Sequence, residues 1–229
     1  MPKDTKKKRK RLRVVLPIIG VVLILVIIVV SSVLYATTPT KGDPIAGYNE
    51  PKAALLVIDV QNDTTSNTAF YGDTTRFLEN VNQAIAFAEE NDMEILYVKN
   101  ITGNNPVLQL LAGGKYKDGT VGAELADGLQ IASGNIFTKS IRDSFSDKGF
   151  EDYLISKQVD TLYIVGADAS ACILSTAQGG INRNYNVNII SDAIITVNDT
   201  VMAQMLEQYT KDGAVVIDLA QLFNHYEIG

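Results

Sequence analysis

Three side chains in this sequence have the types needed to open an amide: an acid, a cation and a thiol. Asp59 closes an apolar run in LLVIDVQND, Lys139 sits in FTKSIRDSF, and Cys172 lies in IVGADASACILSTA. Taken singly, each has a bland reading. An acid at a strand end caps a loop, a lysine is a solvated surface charge, and a lone cysteine is a small core thiol. Lys139, however, follows Ile136 and Phe137, and an ammonium drawn among apolar neighbours needs an anionic partner. Cys172 comes after a strand, Gly166 and a short loop, where a helix begins. There the macrodipole and free backbone N–H groups favour thiolate and can bind a developing oxyanion. Together the three form the minimum set for amide hydrolysis through a thioester. Asp59 takes the thiol proton and returns it to the leaving amine, while Lys139 holds the charge of Asp59. No histidine is required, and the only one, His225, is read as a surface residue near the C-terminus.

These residues need a scaffold that brings three distant segments to one place. From Ala53 onward, short apolar runs alternate with helical periods. Strands are expected at Ala53–Val60, Met93–Lys99, Asn135–Ser140, Thr161–Ala167, Val187–Ala193 and Ala214–Leu219. Helical spacing marks 74–91, 148–158, the segment after Cys172, and the stretch holding Met202, Met205, Leu206 and Tyr209. Residues 100–133 read as Gly-rich loops with a short helix. This βαβα rhythm implies a parallel sheet with helices on both faces, and such sheets carry sites at the C-terminal ends of their strands. Asp59, Lys139 and Cys172 all fall there or close by.

The four blocks LLVIDVQND, K-x5-F from Lys139 to Phe145, VGADASACILSTA and VNIISDA together resemble the isochorismatase-like cysteine hydrolases. That superfamily includes nicotinamidases, N-carbamoylsarcosine amidases and ureidoacrylate amidases. The resemblance covers nearly all of residues 53–220. It implies a three-layer α/β/α fold around a mainly parallel six-stranded sheet, an Asp59–Lys139–Cys172 triad, and a homo-oligomer. It also implies a non-proline cis peptide at Ala167–Asp168 that helps aim the Asp168 and Cys172 N–H groups at the oxyanion. The chain departs from the family in two places. Asp168 puts an acid in the nucleophile loop, where it would raise the thiol pKa or bind a basic substrate group. Thr64 stands where the family often has Phe, which alters the substrate pocket. Family nicotinamidases hold zinc or iron with an Asp-x-His and further histidines after the first strand, but residues 60–110 contain no His. The expectation is therefore a metal-independent enzyme without a cofactor. Isochorismatase itself cleaves a vinyl ether and dispenses with the cysteine, so Cys172 favours C–N bond hydrolysis.

Composition sets the remaining bounds. The chain has 229 residues, 46% apolar, with one Cys and one His. That excludes a disulfide framework and any Cys-clustered or His-pair metal site. Residues 1–40 hold eight Lys/Arg and one acid, whereas 41–229 carry a net charge of −13. A body that acidic is no nucleic-acid binder. Val14–Ala36 runs 23 residues without a charge, enough for a helix to cross the ~30 Å hydrocarbon core. The preceding basic cluster predicts a cytoplasmic N-terminus and an extracytoplasmic body. A cleaved signal peptide is the competing reading, but the run is long and Leu34 occupies the −3 position for cleavage after Ala36. KKKRKR as a nuclear or nucleic-acid patch is weaker, because flanking Lys/Arg more simply meet anionic lipid heads.

The organisation expected is thus a basic cytoplasmic segment (1–13), a transmembrane anchor (14–36), a linker (37–51) that lets the domain stand off the bilayer, and a hydrolase domain (52–229). The expected partners are a small-molecule substrate and the lipid bilayer. Asn62, Asn100 and Asn198 each begin an N-x-T sequon. Glycan at Asn62 would block the neighbouring Asp59, so that match is read as chance. Two function classes compete: a membrane-anchored cysteine amidase, and an inactive binding module that keeps the fold. The three intact triad positions favour catalysis. Thiol redox chemistry lacks a resolving cysteine.

Overall fold

The computed structural model describes residues 3–103 and 106–227. The side chain of His225 lies outside the described ones, as do those of Lys3–Arg13.

One long helix, Lys3–Thr37, carries the basic cluster and the apolar run. Residues Val15–Thr37 are long and apolar enough to cross a membrane. Their large apolar side chains from Val15 to Val30 are exposed, a surface that water does not favour. Seen from the sequence, 37–51 is a free tether; in the structure it is a docked strap. Thr40 donates from its backbone N and its Oγ1 to Asp143 Oδ2, both at 2.7 Å. The Thr40 carbonyl accepts from Asn182 Nδ2 (3.0 Å) and Arg183 Nη1 (3.3 Å). Ile45 N donates to the Arg183 carbonyl at 2.8 Å, and the Ile45 side chain packs on the core. Thr, Pro and Gly read as linker by composition, but their backbone groups are free to bond to a neighbouring surface.

The six expected strands all form: Lys52–Ile58 (β1), Glu94–Asn100 (β2), Ile136–Lys139 (β3), Val159–Ala167 (β4), Asn186–Ile195 (β5) and Val215–Ile217 (β6). They make one sheet of order β3-β2-β1-β4-β5-β6 in which every neighbouring pair is parallel. The near-continuous apolar runs are explained by helices on both faces. On one face Leu56 and Ile58 of β1 meet helices Lys148–Ser156, Leu174–Ile181 and Asp199–Asp212 through Phe150, Leu154, Ala177 and Tyr209. On the other, Leu55 and Val57 meet helix Thr74–Glu90 through Phe77, Val81 and Ile85, and helix Leu219–Glu227 through Leu222. That last helix has no counterpart in the sequence reading. The result is the three-layer α/β/α arrangement.

Gly166 shows how tightly the central strands meet. It pairs with Ile58 across β1 and β4 and has φ +125°. A Cβ there would collide with the Ile58 carbonyl, so only glycine lets β4 pass Ile58, the residue that immediately precedes Asp59.

Candidate active site

From β1 the chain builds outward through β2 and β3 on one side, and through β4, β5 and β6 on the other. The crevice beyond the ends of β1 and β4 is the switch point where parallel sheets bind ligands. Asp59 follows β1 in a left-handed conformation (φ 53°) and donates its N–H to the Val98 carbonyl at 2.8 Å. Lys139, the last residue of β3, reaches past β2. Its Nζ donates to Asp59 Oδ2 at 2.8 Å, with the two side chains 0% and 4% exposed. Asp59 Oδ1 is buried and finds no hydrogen-bond partner among the described residues. Cys172, also buried, lies close enough to feel both charges. The three residues singled out in the sequence are thus brought together.

The electrostatics differ from the sequence expectation. Burial pushes the Asp59 carboxyl above its ordinary range, against the opposing pull of the Lys139 charge. Burial pulls Lys139 down, but the charges of Asp59 and Cys172 outweigh it and leave the ammonium firmer than usual. The thiol goes the other way from the thiolate expected at a helix N-terminus. Burial first, then the Asp59 charge, pushes Cys172 up to about 12. Cys172 sits in a wide turn, Ala169–Ile173, ahead of helix Leu174–Ile181, where burial and the Asp59 charge outweigh the opposing Lys139 charge.

The Ala167–Asp168 peptide is cis. The Asp168 carboxylate is turned into its own loop. Oδ1 accepts from Ser170 N (2.7 Å) and Ser170 Oγ (2.6 Å), and Thr196 Oγ1 lies 3.2 Å from both oxygens. Asp168 lines the pocket, but its oxygens already have donors in the fold, and the thiol shift rests on burial and Asp59.

Gln61 and Asn100 escaped the sequence reading as site residues, and Thr64, read there only as a change to the substrate pocket, also bonds to the acid's turn. Gln61 clamps the backbone of Asn100, accepting its N–H at 2.8 Å and donating to its carbonyl at 3.0 Å. Thr64 Oγ1 donates to the Asp59 carbonyl at 2.7 Å and lies 3.1 Å from the Tyr116 hydroxyl. Asn100 Oδ1 is a second buried oxygen without a partner among the described residues. The pocket over the triad holds about 280 Å³. Loops 61–73 and 100–133 contribute Tyr71, Thr102, Ala112 and Tyr116 to its walls. The signal for Asn100 was its place at a strand end beside Lys139, its register partner. Among the described residues, no group of three or more His, Cys, Asp or Glu is gathered to hold a metal ion.

Comparison with known proteins agrees with this fold. The isochorismatase domain family matches residues 53–221. A protein of Arabidopsis thaliana named as a probable inactive nicotinamidase is 28% identical over 155 residues, 61% of this chain and 79% of that one. Among solved structures, a cysteine hydrolase from Pseudomonas syringae pv. phaseolicola superposes with a TM-score of 0.70 at 17% identity, covering 81% of this chain and 98% of that one. N-carbamoylsarcosine amidase from Thermoplasma acidophilum gives 0.65 at 20% identity, covering 73% and 96%.

Proposed function

The chain belongs to the isochorismatase domain family, and on that footing we propose that it is a metal-independent cysteine hydrolase. It cleaves a C–N bond of a small amide, carbamoyl or ureido substrate through a thioester on Cys172. The observation that carries this reading is the buried Lys139–Asp59 ion pair, with one Asp59 oxygen left without a partner among the described residues and the Cys172 thiol interacting with that carboxyl. Burying such a pair is unfavourable unless its hydrogen bonds are completed, and the missing one is where a proton has to move.

The thiol is protonated at rest, so attack is coupled to proton removal. Asp59 Oδ1 takes the Sγ proton as Sγ bonds to the substrate carbonyl carbon, and the C=O electron pair moves onto oxygen. The backbone N–H groups of Asp168 and Cys172 are assigned to that oxyanion. Collapse re-forms C=O and breaks the C–N bond, and the nitrogen leaves with the proton from Asp59. A water then gives a proton to Asp59 as its oxygen bonds to the acyl carbon. The C–S bond breaks, the sulfur recovers that proton, and the acid is released. Lys139 holds the Asp59 charge throughout and is a positioning residue. We further propose that Val15–Thr37 spans a membrane, with the N-terminus cytoplasmic and the hydrolase body on the far side.

The test is ammonia or amine release by the full chain over a panel of small amides, carbamoyl and ureido compounds, with EDTA and with Cys172→Ala alongside. Release that resists EDTA, disappears in the variant and leaves an acyl adduct on Cys172 by intact mass supports the proposal. Release that persists in the variant, or that stops with EDTA, overturns it. The name of the Arabidopsis relative motivates a second reading, binding without turnover. That reading holds if the wild type binds panel compounds but never acquires the adduct.

A further inference from the structure

The pocket over the triad has a wall from outside the family domain. Val33, Ala36 and Thr37, the last turn of the long N-terminal helix, line it together with Ile141. This wall is held in place. Arg142 N donates to the Ala36 carbonyl at 3.1 Å, and one residue further on Asp143 grips Thr40. Beside it, the short apolar helix Pro106–Leu111 packs against the same N-terminal helix. Leu110 on that helix is 81% exposed, and the segment that follows brings Ala112 and Tyr116 to the pocket. Val33 to Thr37 is one helical turn, a rise of about 6 Å. The same residues therefore close the apolar span and wall the pocket mouth.

The two ends of the pocket differ in chemistry. Its floor has two buried oxygens without partners among the described residues, Asp59 Oδ1 and Asn100 Oδ1. The wall made by Val33, Ala36 and Ile141 is apolar and joins the exposed apolar helix, with Ser140 and Arg142 also in the lining. Resting on the hydrolase reading above, we propose that the substrate is an amphiphile taken from the bilayer surface. Its amide or ureido head has N–H groups for Asn100 Oδ1, and its alkyl tail runs out along Val33 and Ala36. The body then sits on the bilayer rather than away from it, with Leu110 dipping into the interface.

The experiment uses the full chain in phosphatidylcholine nanodiscs. Acetamide, octanamide and hexadecanamide are compared, with the matching alkylureas. kcat/KM is expected to rise at least about tenfold with chain length, since each buried methylene strengthens binding several-fold. Ala36→Trp, which fills the mouth, is expected to abolish that rise. Leu110→Glu, away from the pocket lining, is expected to lower the long-chain rate and leave the acetamide rate unchanged. A kcat/KM that is flat or falls with chain length overturns the inference while the hydrolase reading stands. If wild type hydrolyses neither series, binding of the same compounds to Cys172→Ser in nanodiscs decides. Affinity that grows with chain length supports this substrate class and overturns the hydrolase reading; absent or length-independent binding overturns the inference as well.

Discussion

Two buried charged clusters stand side by side in this molecule, and they are finished differently. In the first, Lys139 meets Asp59 at 2.8 Å, and the other Asp59 oxygen accepts nothing among the described residues. In the second, Asp143 accepts from Thr40 N, Thr40 Oγ1 and Phe145 N. Arg183 meets Glu151 at 2.6 Å, donates to the Thr40 and Gly179 carbonyls, and lies over the Phe145 ring at 4.5 Å. Both Asp carboxyls are raised, by burial first. The second cluster has bonded its charges to the strap and the body; the first has left an oxygen open towards a thiol. Buried polar groups are nearly always satisfied. The cluster whose carboxylate is fully bonded, with only the buried Tyr185 hydroxyl beside it unpartnered among the described residues, is therefore assigned to holding structure, and the one with an open carboxylate oxygen to chemistry.

Breaking the incomplete cluster should change turnover more than folding. Cys172→Ala is expected to lower kcat by at least about a thousandfold, with the thermal midpoint close to wild type, because the thiol is small and carries no buried charge at rest. Asp59→Asn should lose turnover similarly. In that variant the Cys172 pKa should fall below about 12, because the Asp59 charge that raises it is gone and Lys139 remains to stabilise thiolate. Thiolate absorbance against pH reads this directly. An unchanged thiol titration would separate Cys172 from Asp59 and undo the assignment.

Lys139→Met tests the pair as a structure. It leaves the Asp59 charge buried without its cation, and loss of one partner from such a pair typically costs about 3–5 kcal/mol. The pH dependence has a definite sign. Without Lys139, the folded-state pKa of Asp59 rises further above its unfolded value. The folded form then binds the proton more tightly, so the deficit shrinks as pH falls through that raised pKa and grows above the ordinary carboxylate range. Urea midpoints across that window check it, and adding Asp59→Asn should recover most of the loss.

Arg183→Met tests the completed cluster. It should cost about 2–3 kcal/mol through lost charged hydrogen bonds, less than Lys139→Met because the Glu151 left behind is 23% exposed and can be hydrated. Limited proteolysis within 38–51 should accelerate, while the thiol titration of Cys172 stays as in wild type. A shifted titration would mean that the two clusters act as one.

The sequence showed much of the first cluster and little of the second, for physical reasons. Buried parallel strands need long apolar runs, so β1, β2, β4 and β5 were readable and carried Asp59 and the Cys172 loop with them. Lys139 stood out as a cation following Phe137. Asp143 and Arg183 were not singled out, because the partner they share, Thr40, lies in the strap more than a hundred residues earlier in the chain. Composition made that strap a tether. The thiol's direction of shift was hidden too, because it depends on burial from several elements at once. Asn100, Tyr71 and Tyr116 come from strand ends and loops whose paths no periodicity describes.

Thr64 gives the finest division, because its hydroxyl touches both the chemistry and the wall. It donates to the Asp59 carbonyl, holding the left-handed turn that aims the acid, and it meets Tyr116 on the pocket side. Tyr116→Phe removes only the wall contact, worth about 1 kcal/mol. It should raise KM a few-fold with kcat nearly unchanged. Thr64→Val removes both contacts at nearly constant volume, so kcat should fall as well as KM rise, because the Asp59 turn loses its tie. If the two variants instead move kcat equally, Tyr116 acts on the reacting atoms and the wall is part of the machinery. If neither moves kcat, Asp59 is aimed by its strand alone, and the hydroxyl belongs with the completed, structural bonds.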